Sequence, residues 1–187
     1  ALDGFCAGEP WNSAAVMLGH GRIATVKARI WRSSPEKVLG ADARWAEAND
    51  DALAALLRAV YRSAQWCAEP ANHEELAAIL AAPAYVGRPA EWMRPALSGR
   101  MHIGPDAVVR VEDFFVPQAK AATFPWKSHA LWFYSQMVRW GQVGHSAGNT
   151  AIARETYRPD LYRAALRPLG VALPGANAKV EGALAAA

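Results

Sequence analysis

The sequence predicts an α/β fold rich in helix, and three observations carry that expectation. Across residues 51–67, Leu53, Leu56, Leu57, Val60, Tyr61, Ala64 and Cys67 recur on one helical stripe, with Arg58, Arg62 and Gln65 largely elsewhere. Short apolar or β-branched runs bounded by glycine, residues 2–7 and 23–26, read as strands. Two segments, Gly8-Glu9-Pro10-Trp11-Asn12 and Phe124-Pro125-Trp126-Lys127-Ser128-His129, join turn residues to a helix start. The 187 residues, 52% hydrophobic and 20% charged, suffice for one globular unit with a sizeable core.

Taken in order, residues 2–7 form a buried strand that ends at Gly8. Lacking a Cβ, Gly8 lets the backbone approach a ligand closely. Pro10 suits the first turn of a helix marked by Trp11, Ala14, Ala15 and Leu18 and ended by Gly19 and Gly21. Residues 23–26 are a second strand, 31–35 a loop and 37–41 a third strand. Asp42 caps a helix over Trp45 and Ala46. After the 51–67 helix, whose stripe is core, Asn72 caps a helix over residues 73–80, with Glu74 and Glu75 favourable in its first turn. A further helix follows Pro89 and carries Trp92 and Met93. Residues 98–123 read as loop, interrupted by Gly99, Gly104, Pro105 and Pro117. Ser128 caps a helix in which Ala130, Phe133, Tyr134, Met137 and Val138 repeat, and Gly141 stops it. Pro159 begins the last clear helix, 161–169, which Gly170 terminates. The Ala/Gly-rich tail after Pro174 reads as loose or peripheral.

The two helix starts are where function is legible. A strand that ends at a helix N-terminus presents unpaired N–H groups and the positive end of a dipole, a generic place for a small anion. A strand–turn–helix with nothing bound is the default for any such junction. Lys127, placed just before the capped helix, is unfavourable by the dipole argument unless an anion lies nearby, and Trp126 and His129 flank it. A solvated loop lysine is the ordinary alternative.

Composition narrows the remaining classes. A net charge of +3 and a pI near 9.0 come from basic residues spread among acids, with no stripe for nucleic acid. Cys6 and Cys67 lie in no metal-type spacing and read as small buried hydrophobes. No run approaches the roughly 20 apolar residues of a membrane helix. Glu9, His20, His129 and His145 are scattered, and neither Gly-x-Ser-x-Gly nor His-Glu-x-x-His occurs. The reading is a binding protein rather than an enzyme, with no cofactor and no metal. The Trp residues as stacking platforms for an aromatic or sugar ligand form another class, against which their places on helical stripes favour core packing.

Several separated blocks, from about Gly4 to Gly170, resemble one family. They are Cys6-Ala7-Gly8-Glu9-Pro10-Trp11-Asn12, Pro35-Glu36-Lys37-Val38-Leu39-Gly40, Phe124 through Phe133, Gln136 through Gln142 and Tyr157-Arg158-Pro159-Asp160-Leu161-Tyr162. They look like the second half of the nitrate-binding proteins of ABC transporters, a group that also holds bicarbonate binders and cytoplasmic nitrate sensors. The resemblance implies the helix-rich part of a type II periplasmic-binding-protein fold. Residues 1–12 would be the end of one lobe and the hinge crossing, and 13–187 the returning lobe with C-terminal helices. It implies an anion pocket with Gly8 and its neighbours Glu9 and Trp11 donating or lining, Lys127 neutralising charge and Trp126 shielding. Glu9 would face away, pair with an arginine or hold a cation in a bicarbonate-type site. The ligand would be nitrate, nitrite or bicarbonate. The partner would be a membrane ABC permease, with the protein periplasmic or lipid-anchored outside the inner membrane; a cytoplasmic sensor acting on a regulatory protein is the alternative. Members of the family are about twice this length. A chain that starts at Ala1, with no Met and no basic or apolar leader, therefore reads as a fragment or processed product.

Overall fold

The computed structural model describes residues 2–181. In chain order they form α1 (Trp11–Met17), α2 (Lys27–Ile30), α3 (Ala43–Ala48), α4 (Asp50–Ala68), α5 (His73–Ala81) and α6 (Arg94–Ser98). A hairpin of β1 (Arg100–Gly104) and β2 (Ala107–Arg110) follows, then α7 (Lys127–Arg139), α8 (Ala147–Thr156) and α9 (Pro159–Leu166). Among the described residues no helix is long and apolar enough to cross a membrane. The chain divides into two compact units, residues 2–34 with 65–117 and residues 35–64 with 118–181.

The first unit is built on α5, α6 and the hairpin. Leu76, Ala77, Met93 and Leu97 form its buried cluster, and Trp66, Cys67, Leu80, Val86 and Ala90 pack against them. Burying each of the large side chains stabilises the unit by about 1.5–3 kcal/mol. Gly99 ends α6 in the left-handed region at φ +69°, and a Cβ there would lie 3.0 Å from the Val111 carbonyl oxygen. The close approach lets the Val111 N–H donate to the Gly99 carbonyl at 2.9 Å and starts the hairpin. The strands pair antiparallel, with Met101 opposite Val109 and an irregularity between His102 and Gly104. Met101 is fully buried, and α1 packs on β1.

The second unit gathers Tyr61, Phe124, Trp126, Tyr162 and Leu166 into one buried cluster. Phe124 sits edge-on to Trp126 at 4.6 Å and to Tyr162 at 5.3 Å, arrangements aromatic quadrupoles favour. Helices α7 and α8 pack as a pair, joined by a loop that the Tyr134 hydroxyl pins by accepting the Ser146 N–H at 3.1 Å. Ser146 caps α8 by accepting the Asn149 N–H at 3.0 Å.

Several expectations from the sequence are corrected. Residues 2–7, 23–26 and 37–41 are not strands. The first and third runs are exposed, and the second makes one strand-like bond, from the Ile23 N–H to the Ile103 carbonyl at 3.0 Å. A strand needs a partner along its length to satisfy its backbone, and among the described residues none of the three forms such a ladder. The sheet lies instead in the stretch expected as loop, where Pro105 and Asp106 form the two-residue turn between β1 and β2. Asn72 does not cap α5; its side-chain amide donates to the Trp66 carbonyl at 2.9 Å. Cys6 is exposed rather than buried, while Cys67 is partly covered and burial raises its thiol pKa. The tail after Pro174 is not loose through residue 181. Arg163 donates to the carbonyls of Pro174, Gly175 and Ala176 at 2.8, 3.2 and 2.8 Å and to the Asn177 side chain at 2.8 Å. The rest of that tail, residues 182–187, lies outside the described residues.

Candidate functional site

Gly8, Glu9 and Trp11 lie in the first unit, and Trp126 and Lys127 in the second. The turn that leads into α1 is set by local bonds. The Trp11 N–H donates to the Gly8 carbonyl at 3.3 Å, and the Asn12 side-chain amide donates to the Ala7 carbonyl at 2.6 Å. Pro10 is the residue that precedes the first helical turn, and the Glu9–Pro10 peptide is cis. The Glu9 carboxylate folds back over the helix start and accepts the Ser13 N–H at 3.1 Å. It occupies a donor that would otherwise be open to an external anion, and the negative charge sits favourably at the positive end of the helix.

Around the turn the backbone stays accessible. A Cβ built on Gly8 meets nothing within 4 Å. Trp11 is partly exposed, with the Arg88 guanidinium 5.7 Å from its ring centroid. Ser13 is fully buried, and its hydroxyl has no hydrogen-bond partner.

In the second unit the start of α7 differs from the sequence reading by two residues. Trp126, not Ser128, precedes the helix, and Lys127 is its first member. Ser128 turns its hydroxyl outward to accept the Lys179 N–H at 3.1 Å. Lys127 donates its own N–H to the Asn177 carbonyl at 2.8 Å, so chain 177–179 closes the helix start. The Lys127 ammonium reaches both oxygens of Glu155 at 2.8 and 3.0 Å. Trp126 is 6% exposed; its indole N–H donates to the Ala121 carbonyl at 3.2 Å, and the Lys179 ammonium sits 5.0 Å from its ring. It is a core residue whose polar atom and one face are already engaged.

His129 and Glu181 are in hydrogen-bond contact, both largely covered. Burial lowers the His129 pKa, against the opposing pull of Glu181, and the nearby Lys179 charge adds to the lowering. Lys179 pairs with the same Glu181 oxygen at 2.8 Å.

One residue in the matching blocks carries a feature the sequence reading passed over. Among the described lysines, Lys37 makes no hydrogen bond or ion pair, and it stands on an exposed segment beside exposed Val38 and Leu39. Apolar side chains in water next to an unmatched charge were the available signal. Among the described residues no cluster of three or more His, Cys, Asp or Glu is placed to hold a metal.

The comparisons with known proteins point one way. The sequence profile of the NMT1-like family matches residues 1–81. The nitrate/nitrite binding protein NrtA of Synechococcus elongatus is 38% identical over 170 residues, covering 90% of this chain and 38% of that protein. The bicarbonate-binding protein CmpA of the same organism is 29% identical over 179 residues, covering 91% of this chain and 40% of that protein. The crystal structure of the periplasmic nitrate-binding protein NrtA from Synechocystis PCC 6803 superposes with a TM-score of 0.91 at 31% identity, over 97% of this chain and 48% of that one. The chain thus has the helix-rich part of a periplasmic-binding-protein fold and spans about half the length of the solved relative, or less of the others.

Proposed function

Since the chain belongs to the nitrate/bicarbonate-binding protein family, we propose that it is part of a solute-binding protein that delivers a small oxyanion, nitrate or nitrite, to an ABC transporter. The observation that carries the reading is the TM-score of 0.91 to a nitrate-binding protein across 97% of the chain. Bicarbonate is the second reading, favoured by the likeness to CmpA but at 29% identity against 38% for NrtA. The role is binding and not catalysis, and it belongs outside the cytoplasmic membrane, beside a permease.

Each unit offers its own candidate. In the first, the accessible Gly8 backbone and the half-open Trp11 face can meet a flat anion by hydrogen bonding and contact with its face. The Glu9 carboxylate keeps to the helix start, where its charge is matched by backbone dipoles. In the second unit two lysines are candidates on different terms. Lys127 is matched by Glu155 and reaches an anion only by releasing it, whereas the unmatched Lys37 carries a charge free for a ligand. A charge-assisted bond to an oxyanion is about twice as strong as a neutral one, which makes a free cation the better donor. Residues 1–12 are retained as the end of one lobe and the hinge crossing of the whole protein.

Calorimetric titration of the full-length protein with nitrate, nitrite and bicarbonate tests the reading. Saturable binding of nitrate or nitrite at least tenfold tighter than bicarbonate is expected. Binding of bicarbonate alone would transfer the assignment to the second reading.

A further inference from the structure

We propose that a cavity of about 130 Å³ inside the second unit is a separate binding site for a small monocarboxylate of acetate to butyrate size. Its wall carries three hydroxyl groups, those of Tyr61, Thr123 and Tyr162, together with the Gln118 amide and the apolar side chains of Phe124 and Leu173. No carboxylate lines it, and the one charged residue on its wall is Lys120. Tyr61 and Tyr162 are 7% and 5% exposed, so their hydroxyls answer to this space more than to bulk water.

The proton count identifies the ligand's chemistry. The Tyr61 oxygen accepts from the Gln118 amide at 3.4 Å, and its own O–H has no acceptor among the described residues. Thr123 and Tyr162 share one bond of 2.7 Å, in which one hydroxyl donates and the other keeps a proton without an acceptor. Two O–H protons on this wall therefore have no hydrogen-bond acceptor among the described residues. A carboxylate offers two oxygens for two donors, and its short alkyl tail suits Phe124 and Leu173. Burial raises the Tyr162 pKa, which keeps that phenol a proton donor.

The rim is held under strain. Lys120 and Ala121 are consecutive non-glycine residues with φ of +59° and +53°, the left-handed region that a Cβ disfavours. Two outside donors fix it, the Trp126 indole on the Ala121 carbonyl at 3.2 Å and the Lys179 ammonium on the Lys120 carbonyl at 3.3 Å. Strained backbone held by its surroundings beside unsatisfied donors is the combination that ligand sites display.

The test is calorimetric titration of the full-length protein with sodium propionate, with nitrate held at saturation throughout so that an oxyanion site is already filled. Propionamide and sodium chloride serve as neutral and ionic controls. Propionate should bind saturably, at least tenfold tighter than propionamide and without response to chloride. Tyr61→Phe, which removes one hydroxyl, should weaken propionate at least tenfold and leave nitrate affinity unchanged. Thr123→Val is the second variant and decides the matter if Tyr61→Phe unfolds. Absence of saturable propionate binding, meaning a cavity filled by water only, overturns the proposal. So does propionate affinity that survives both substitutions. Loss of nitrate binding with propionate binding intact would instead strike the oxyanion reading alone.

Discussion

Lys127 at the start of α7 holds both carboxylate oxygens of Glu155 near the end of α8, tying the two ends of the antiparallel helix pair. The lysine side chain is 20% exposed and its partner 67%, so solvent screens the pair and its net worth is at most about 1 kcal/mol. Lys127→Met should lower stability by no more than that, with a double-mutant cycle against Glu155→Gln isolating the pair term. Nitrate affinity of the full-length variant should change less than about threefold, because the charge is already matched. A loss of tenfold or more would return Lys127 to the anion.

Lys37 is expected to behave in the opposite way. Lys37→Met removes a charge that no described residue uses, so denaturant unfolding should be unaltered within about 0.5 kcal/mol. Nitrate affinity should fall at least tenfold, since a charge-assisted contact contributes about 1.5–3 kcal/mol. Unchanged affinity in calorimetry would remove Lys37 from the binding reading.

Glu9 tests the helix start. Glu9→Ala frees the Ser13 N–H and removes the favourable charge, at a cost of about 1 kcal/mol in urea unfolding. Glu9→Gln keeps an acceptor oxygen and should cost less. Equal losses in the two variants would mean that charge, not the hydrogen bond, is the stabilising element.

The pH dependence follows from His129. Burial lowers its pKa in the folded protein below the ordinary value of about 6.5, so the unfolded chain takes up the proton more readily. The stability from the neutral imidazole is full above pH of about 6.5 and is lost as pH falls from there through the lower folded value. Glu181 opposes the shift and Lys179 reinforces it. Urea midpoints should therefore decline below that pH, and His129→Gln should flatten the decline; an unchanged slope in the variant would place the titration elsewhere.

Much of the helical framework is legible in the sequence because it rests on local physics. Asp42 accepts the Arg44 and Trp45 N–H groups at 3.0 and 3.1 Å, as a capping aspartate should, and α4 covers the whole predicted stripe. Gly141 and Gly170 follow α7 and the 3₁₀ turn after α9 with φ of +68° and +65°. The hairpin was hidden because Gly104 and Pro105 read as breaks, whereas a break flanked by Val108-Val109 and Met101 is also a turn. Helix α8 lacks a strong apolar stripe, leaves Ile152 exposed and depends on the Ser146 cap and the Tyr134 hydroxyl. In the candidate site, the residue types at Gly8 and Trp11 were readable, but the Glu155 partner of Lys127 was not. No periodicity links positions 28 apart, and a separation of 11 likewise hid Pro174 from Arg163.

The grip of Arg163 on residues 174–177 gives the second unit a built-in reporter of its own opening. The Lys127 amide hydrogen is shielded by the Asn177 carbonyl and the Lys179 amide hydrogen by the Ser128 hydroxyl, so the two protect each other's segments from solvent deuterium. Peeling residues 174–181 away from α7 exposes both at once. Their exchange rates should rise together in Arg163→Ala while amides within α8 keep theirs, marking that segment as a cooperative foldon smaller than the unit that carries it.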